Sequence, residues 1–98
     1  MRAIYVLIKC ELGKAYEVAG QLVESFDRPP QVHSISGKYD LIAQFYVPGD
    51  TDIGRFVNTR VHSIPGIADT ETIICFNAFT PDSGLRGDPE EDRPAPRP

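Results

Sequence analysis

Gln31–Val47, QVHSISGKYDLIAQFYV, is the stretch on which the fold turns. Gln31–Ser36 reads as a short strand, with Val32 on one face and His33 and Ile35 on the other. Gly37-Lys38-Tyr39-Asp40 is a tight connection, because glycine supplies positive φ and aspartate bonds its own backbone. Leu41–Val47 is a long apolar strand, ended by Pro48-Gly49. Two strands so closely joined form a hairpin, and whatever flanks them must pack around it.

Reading toward the N-terminus, Arg28-Pro29-Pro30 stops a helix, because a residue before proline is pushed out of the helical region. That helix is expected over Lys14–Asp27, where Val18, Ala19, Leu22, Val23 and Phe26 recur at helical spacing. Before it, Ala3–Cys10, AIYVLIKC, is a β-rich apolar run and a further strand. Toward the C-terminus, Asp50-Thr51-Asp52 offers helix caps. Ile53, Phe56, Val57, Val61 and Ile64 follow at helical spacing, Pro65-Gly66 ends that helix, and Ile67–Phe79 is the last strand.

The order β-α-β-β-α-β is the split, ferredoxin-like arrangement, an α+β fold. Right-handed crossovers put both helices on one face of a four-stranded antiparallel sheet, with expected strand order 4-1-3-2. Two helices cover one face, yet strands one, three and four are apolar on both. Tyr5, Leu7, Ile42, Tyr46, Ile73 and Cys75 are left for the open side when Ile4, Val6, Leu41, Phe45 and Ile74 sit under the helices. An open apolar sheet face predicts an interface, and self-association is the simplest form of it.

Composition bounds the rest. The chain has 98 residues, 41% hydrophobic and 24% charged, which is one ordinary globular domain. Residues 81–98 separate from it: five prolines, eight charged residues and a single large apolar side chain, Leu85, predict an extension that stays disordered. Domain and extension are therefore expected at 1–80 and 81–98. Net charge is −4, and both parts are acidic, which argues against direct nucleic-acid binding. The longest apolar run, Ala3–Ile8, is too short to span a membrane. Two cysteines, Cys10 and Cys75, are too few for a disulfide scaffold. A reducing, cytoplasmic location follows as the expectation, with both thiols buried and inert in their strands.

The Gly37-Lys38-Tyr39-Asp40 turn is the most informative candidate site. It is either a plain hairpin connection or a small anion or zwitterion site. In the second reading backbone N–H groups cradle a carboxylate, Asp40 holds an ammonium group and the Tyr39 ring walls the pocket. Thr70 and Thr72 lie two apart on a strand and share a face. They serve either β-propensity or a polar ligand. His33 and His62 have no metal-ligand spacing. There is no phosphate loop and no nucleophile elbow, so no cofactor, metal or catalytic residue is expected.

Two segments, Val32–Leu41 (VHSISGKYDL) and Ile64–Thr72 (IPGIADTET), within this element order, resemble the effector-binding domain of Lrp/AsnC transcription regulators. This is also known as the regulation-of-amino-acid-metabolism (RAM) domain. The resemblance covers about residues 3–79. Regulators of this family carry an N-terminal helix-turn-helix, whereas Met1 here leads straight into the first strand, so the chain resembles stand-alone members. The resemblance implies a non-catalytic amino-acid sensor that modulates transcription through ligand-coupled assembly. It implies homodimers formed through the sheets, octamers built from such dimers, and mixed oligomers with a full-length regulator. Carried over by motif, the ligand site comprises Ser36, Gly37, Lys38, Tyr39 and Asp40, with Thr70 and Thr72 from the last strand.

Two other classes share the topology. A dimeric α/β-barrel enzyme of the cofactor-free monooxygenase or decarboxylase kind needs an enclosed cavity lined by a base, for which His33 and His62 are the candidates. An RNA-recognition module needs stacked aromatics beside basic residues. Here Phe45 and Tyr46 point to opposite faces, and the domain is acidic.

Overall fold

The computed structural model describes residues 1–77 and 79, so the extension expected at 81–98 lies outside the described residues. In chain order the elements are β1 (Arg2–Cys10), α1 (Ala15–Glu24), β2 (Gln31–Ser34), β3 (Leu41–Val47), α2 (Ile53–Phe56) with a π-helical continuation (Val57–Val61), and β4 (Ile67–Ile74). The strands form one antiparallel sheet in the order β2-β3-β1-β4, the expected arrangement read from the other edge.

Register sorts the side chains by face. Ile4, Val6 and Ile8 pair with Phe45, Ala43 and Leu41 on one side of β1, and with Ile74, Thr72 and Thr70 on the other. Directly paired residues share a face, so these form the layer beneath the helices. There Ile4, Val6, Ile8, Leu41, Ala43, Phe45 and Val47 are buried with Val18 and Leu22 of α1 and Val57 and Val61 of the π-helical segment. The opposite face carries Tyr5, Leu7, Ile42, Gln44, Tyr46 and Ile73, none of them fully buried. Tyr46 is 53% and Ile73 43% exposed.

Element ends differ from the sequence reading. α1 stops at Glu24 rather than Asp27, with Ser25 N–H closing the last turn on Gln21 O at 2.9 Å. Phe26 thereby leaves the helix and packs edge-on against Phe45, ring centroids 5.1 Å apart. β2 ends at Ser34, and Ile35 N–H instead bonds Asp40 O across the turn. The second helix is regular over one turn only. Thr59 Oγ1 donates to Arg55 O at 2.7 Å, and His62 N–H reaches five residues back to Val57 O at 2.9 Å. A hydroxyl on that carbonyl competes with the regular ladder. β4 ends at Ile74, and Cys75 just beyond it is exposed rather than buried as expected. Cys10 and Cys75 are both free and sit at opposite ends of the β1–β4 pair.

Gly66 ties the two halves together. Its φ of +96° lies in the left-handed region, and a Cβ there would stand 2.9 Å from Val18 Cγ2 of α1. Its carbonyl accepts from Glu11 N–H at 2.8 Å, closing the loop after β1 onto the loop before β4.

Candidate functional site

The turn between β2 and β3 sits beside the C-terminal end of β1. Gly37 turns the chain at φ +106°, and Ser36, Gly37 and Lys38 are exposed. Asp40 N–H donates to Ile8 O at 2.9 Å, which extends the β1–β3 ladder past its last pair. The β1–β4 register shifts between Lys9 and Cys10, and at that irregularity Asp40 Oδ2 accepts the Cys10 N–H at 2.8 Å. A carboxylate on a backbone donor is a charge-assisted bond, so Asp40 first of all anchors the turn to β1. The Cys10 thiol is pushed above its ordinary value, chiefly by burial and then by the charge of Asp40.

Tyr39 makes a second anchor. Its hydroxyl donates to Glu71 Oε1 at 3.1 Å. Glu71 pairs with Leu7 on the open face, so Tyr39 reaches from the β2–β3 turn across β1 to β4 on the uncovered side. The bond to Glu71 raises the phenol's proton affinity, with partial burial and the charges of Glu71 and Asp69 adding to it.

Thr70 and Thr72 lie on the other side of the sheet, opposite Ile8 and Val6 and under the helices. Thr70 Oγ1 is 2.7 Å from His62 Nε2, at the end of the π-helical segment. Asp69 Oδ1 accepts the Thr70 N–H at 2.9 Å. Within one copy the structure thus brings Ser36–Asp40 together with Glu71 and the end of β1, and keeps the threonine hydroxyls on the far side of β4. Sequence reasoning did not single out Glu71 or the Cys10 N–H. The alternation that put Thr70 and Thr72 on one face already put Glu71 on the other.

The open face next to the other end of β1 holds a concavity of about 510 Å³, walled by Tyr5, Gln44, Tyr46, Cys75 and Phe76. Gln44 Nε2 donates to Tyr46 Oη at 3.2 Å within it. An enzyme of the α/β-barrel kind would need a polar chamber between helices and sheet. Among the described residues that layer holds no buried polar or charged side chain, and His33 and His62 are both exposed. Among the described residues there is also no group of three or more His, Cys, Asp or Glu placed to hold a metal ion. No described helix is long and apolar enough to cross a membrane.

Comparison with known proteins agrees with this fold. The transcriptional regulator FL11 of Pyrococcus abyssi, described as of the helix-turn-helix type, is 31% identical over 70 residues. The match takes in 71% of this chain and 45% of FL11, so the chain spans about half the length of that relative. The crystal structure of FFRP-DM1 superposes with a TM-score of 0.70 at 25% identity, covering 78% of this chain and all of that one. A transcriptional regulator of Neisseria meningitidis, solved as a complex with L-Met, shares the fold at a TM-score of 0.68 and 14% identity, over 86% of this chain and 55% of its own. Residues 3–85 match the Lrp/AsnC ligand binding domain. The chain belongs to that family, the effector-binding domains of transcription regulators.

Proposed function

We propose that the chain senses an amino acid at the Ser36–Asp40 turn and couples its binding to self-association through the open sheet face. The observation that carries this reading is the pinned turn. Gly37 presents an exposed polar backbone at φ +106°, and the bonds Asp40–Cys10 and Tyr39–Glu71 hold it to β1 and β4. A turn fixed in advance binds a small zwitterion without first being ordered. Backbone N–H groups around Gly37 would take the carboxylate. Asp40, with Oδ2 already engaged, would offer its other oxygen to the ammonium group. Lys38 would add positive charge at the mouth.

Amino acid is the ligand class that the L-Met complex of the Neisseria relative suggests. Thr70 and Thr72 face away from the turn within one copy, so their share in a site requires a neighbouring copy to bring them in. Residues 1–80 would form the ligand-binding unit. Dimers through the open face, larger rings, and mixed assembly with a longer regulator of the family are the routes by which binding would reach transcription. A ligand shifts assembly only through its unequal affinity for the two states, with coupling of about 1–3 kcal/mol in typical cases.

The test is calorimetry of the full chain against the twenty amino acids, with native mass measured beside it. At least one amino acid should bind saturably at millimolar concentration or below and change the distribution of oligomers. Asp40→Asn should weaken it by tenfold or so while keeping an oxygen acceptor for Cys10 N–H. No binding by any amino acid would remove the sensor reading.

A further inference from the structure

A second cavity, of about 280 Å³, lies at the opposite end of the sheet from the Ser36–Asp40 turn, near Val47, which pairs with Arg2 at the start of β1. Its apolar wall is Phe26, Phe45 and Phe56, three rings packed on one another with centroids 5.1, 5.9 and 5.3 Å apart. Phe45 is buried, but Phe26 and Phe56 are only half-buried and border the cavity. Two arginines, Arg28 and Arg60, line it as well, with Thr51 beside them.

Arg60 lies 4.7 Å from the centroid of Phe26, and its Nη2 donates a long bond, 3.4 Å, to Ser25 O. That contact uses one of its five donors. Among the described residues the one ion pair is Lys14–Glu17, so neither arginine is matched to a carboxylate, although Asp27 also borders the cavity. A half-open aromatic wall and two arginines, neither in an ion pair among the described residues, border one small space. The space suits an apolar planar body that ends in a single anionic group. A guanidinium takes a carboxylate in bidentate fashion, and an aromatic ring continues the edge-to-face packing of the wall. The volume sits at the small end of ligand pockets, which run from roughly 300 to 1,000 Å³.

We propose that this cavity is a separate ligand site for a small aryl carboxylate, held by Arg28 and Arg60 against the Phe26–Phe45–Phe56 wall. It shares no residue with the Ser36–Asp40 turn, and it stands or falls independently of amino-acid binding there.

The probe is benzoate, titrated into the full chain and followed by backbone amide shifts, with benzamide as its neutral counterpart. Benzoate should saturate, with shifts grouped at residues 26–28, 45–48 and 51–60. It should bind about tenfold or more tightly than benzamide, the contrast expected when the anionic group carries the contact. Arg28→Gln, which alters an exposed side chain, should leave the spectrum of the free protein intact and weaken benzoate severalfold. The proposal is overturned if benzoate fails to saturate at tens of millimolar, if benzamide binds equally well, or if the shifts gather at Ser36–Asp40 or on the open sheet face.

Discussion

The carboxylate of Asp40 accepts the backbone N–H of Cys10 at 2.8 Å across a separation of 30 residues. It does so where the β1–β4 register slips between Lys9 and Cys10. The first prediction follows from that double duty. Asp40→Ala leaves a partly buried N–H without its acceptor and should cost about 1–3 kcal/mol of stability. Asp40→Asn should lose less, because the amide oxygen can still accept. Urea unfolding of the two variants checks the order, and equal losses would mean that the Cys10 bond contributes nothing.

The Tyr39–Glu71 bond gives a prediction in alkali. The bond to Glu71 raises the phenol's pKa above its ordinary value of 10.0. A group whose folded pKa is raised contributes stability that is complete below the unfolded value and lost as pH rises through the folded one. The contribution should therefore be constant through neutral pH and vanish only above about pH 10. Tyr39→Phe should remove a late-titrating phenol from the absorbance curve of the four tyrosines and flatten the alkaline fall in stability. Loss of a phenol that titrates with the other three would show that the bond does not form in solution.

Gly66 supports a prediction about packing. Alanine there must adopt φ +96° and place its Cβ 2.9 Å from Val18 Cγ2, a buried methyl with nowhere to go. Backbone strain and overpacking together should cost about 2 kcal/mol or more. Gly37→Ala meets no atom within 4 Å and should show only the backbone part of that loss, about 1 kcal/mol. Thermal unfolding of the two variants should therefore separate them, with Gly66→Ala clearly the lower. Adding Val18→Ala to Gly66→Ala should cost less than Val18→Ala does alone, because the new methyl fills part of the cavity.

How far the chain could be read depends on the range of the interactions. The element order and the two-faced character of β1 and β3 come from alternation within one strand, so Ile4, Val6 and Ile8 could be set against Tyr5 and Leu7 without knowing any partner. The turn at Gly37 was legible for the same reason. Cys75 is exposed because it falls on the open face, where even Ile73 inside β4 is 43% exposed and no helix covers the sheet. Phe26 was misread because a helical period does not show where a helix stops and its next ring turns inward to Phe45. The π-helical turn, closed by His62 N–H on Val57 O, is a backbone pattern that spacing of apolar residues cannot reveal. The contacts that shape the site, Asp40 to Cys10 and Tyr39 to Glu71, join positions 30 and 32 residues apart and needed the register of three strands.

Adjacent residues on β4 separate the open face from the covered one. Ile73 is 43% and Ile74 37% exposed, nearly equal as free surfaces, yet Ile73 pairs with Tyr5 on the open face and Ile74 with Ile4 on the helix side. A charge at either costs the isolated chain a similar amount, since neither side chain is sealed from water. If the open face holds two copies together, glutamate at Ile73 would be trapped between apolar sheets, where an unpaired charge costs several kcal/mol. Ile73→Glu should therefore shift the native mass to the single chain, while Ile74→Glu leaves the assembly in place and both keep similar far-ultraviolet circular dichroism. Dissociation by both variants would indicate a general loss of stability. Dissociation by neither would leave the apolar face of β1, β3 and β4 without a role in assembly.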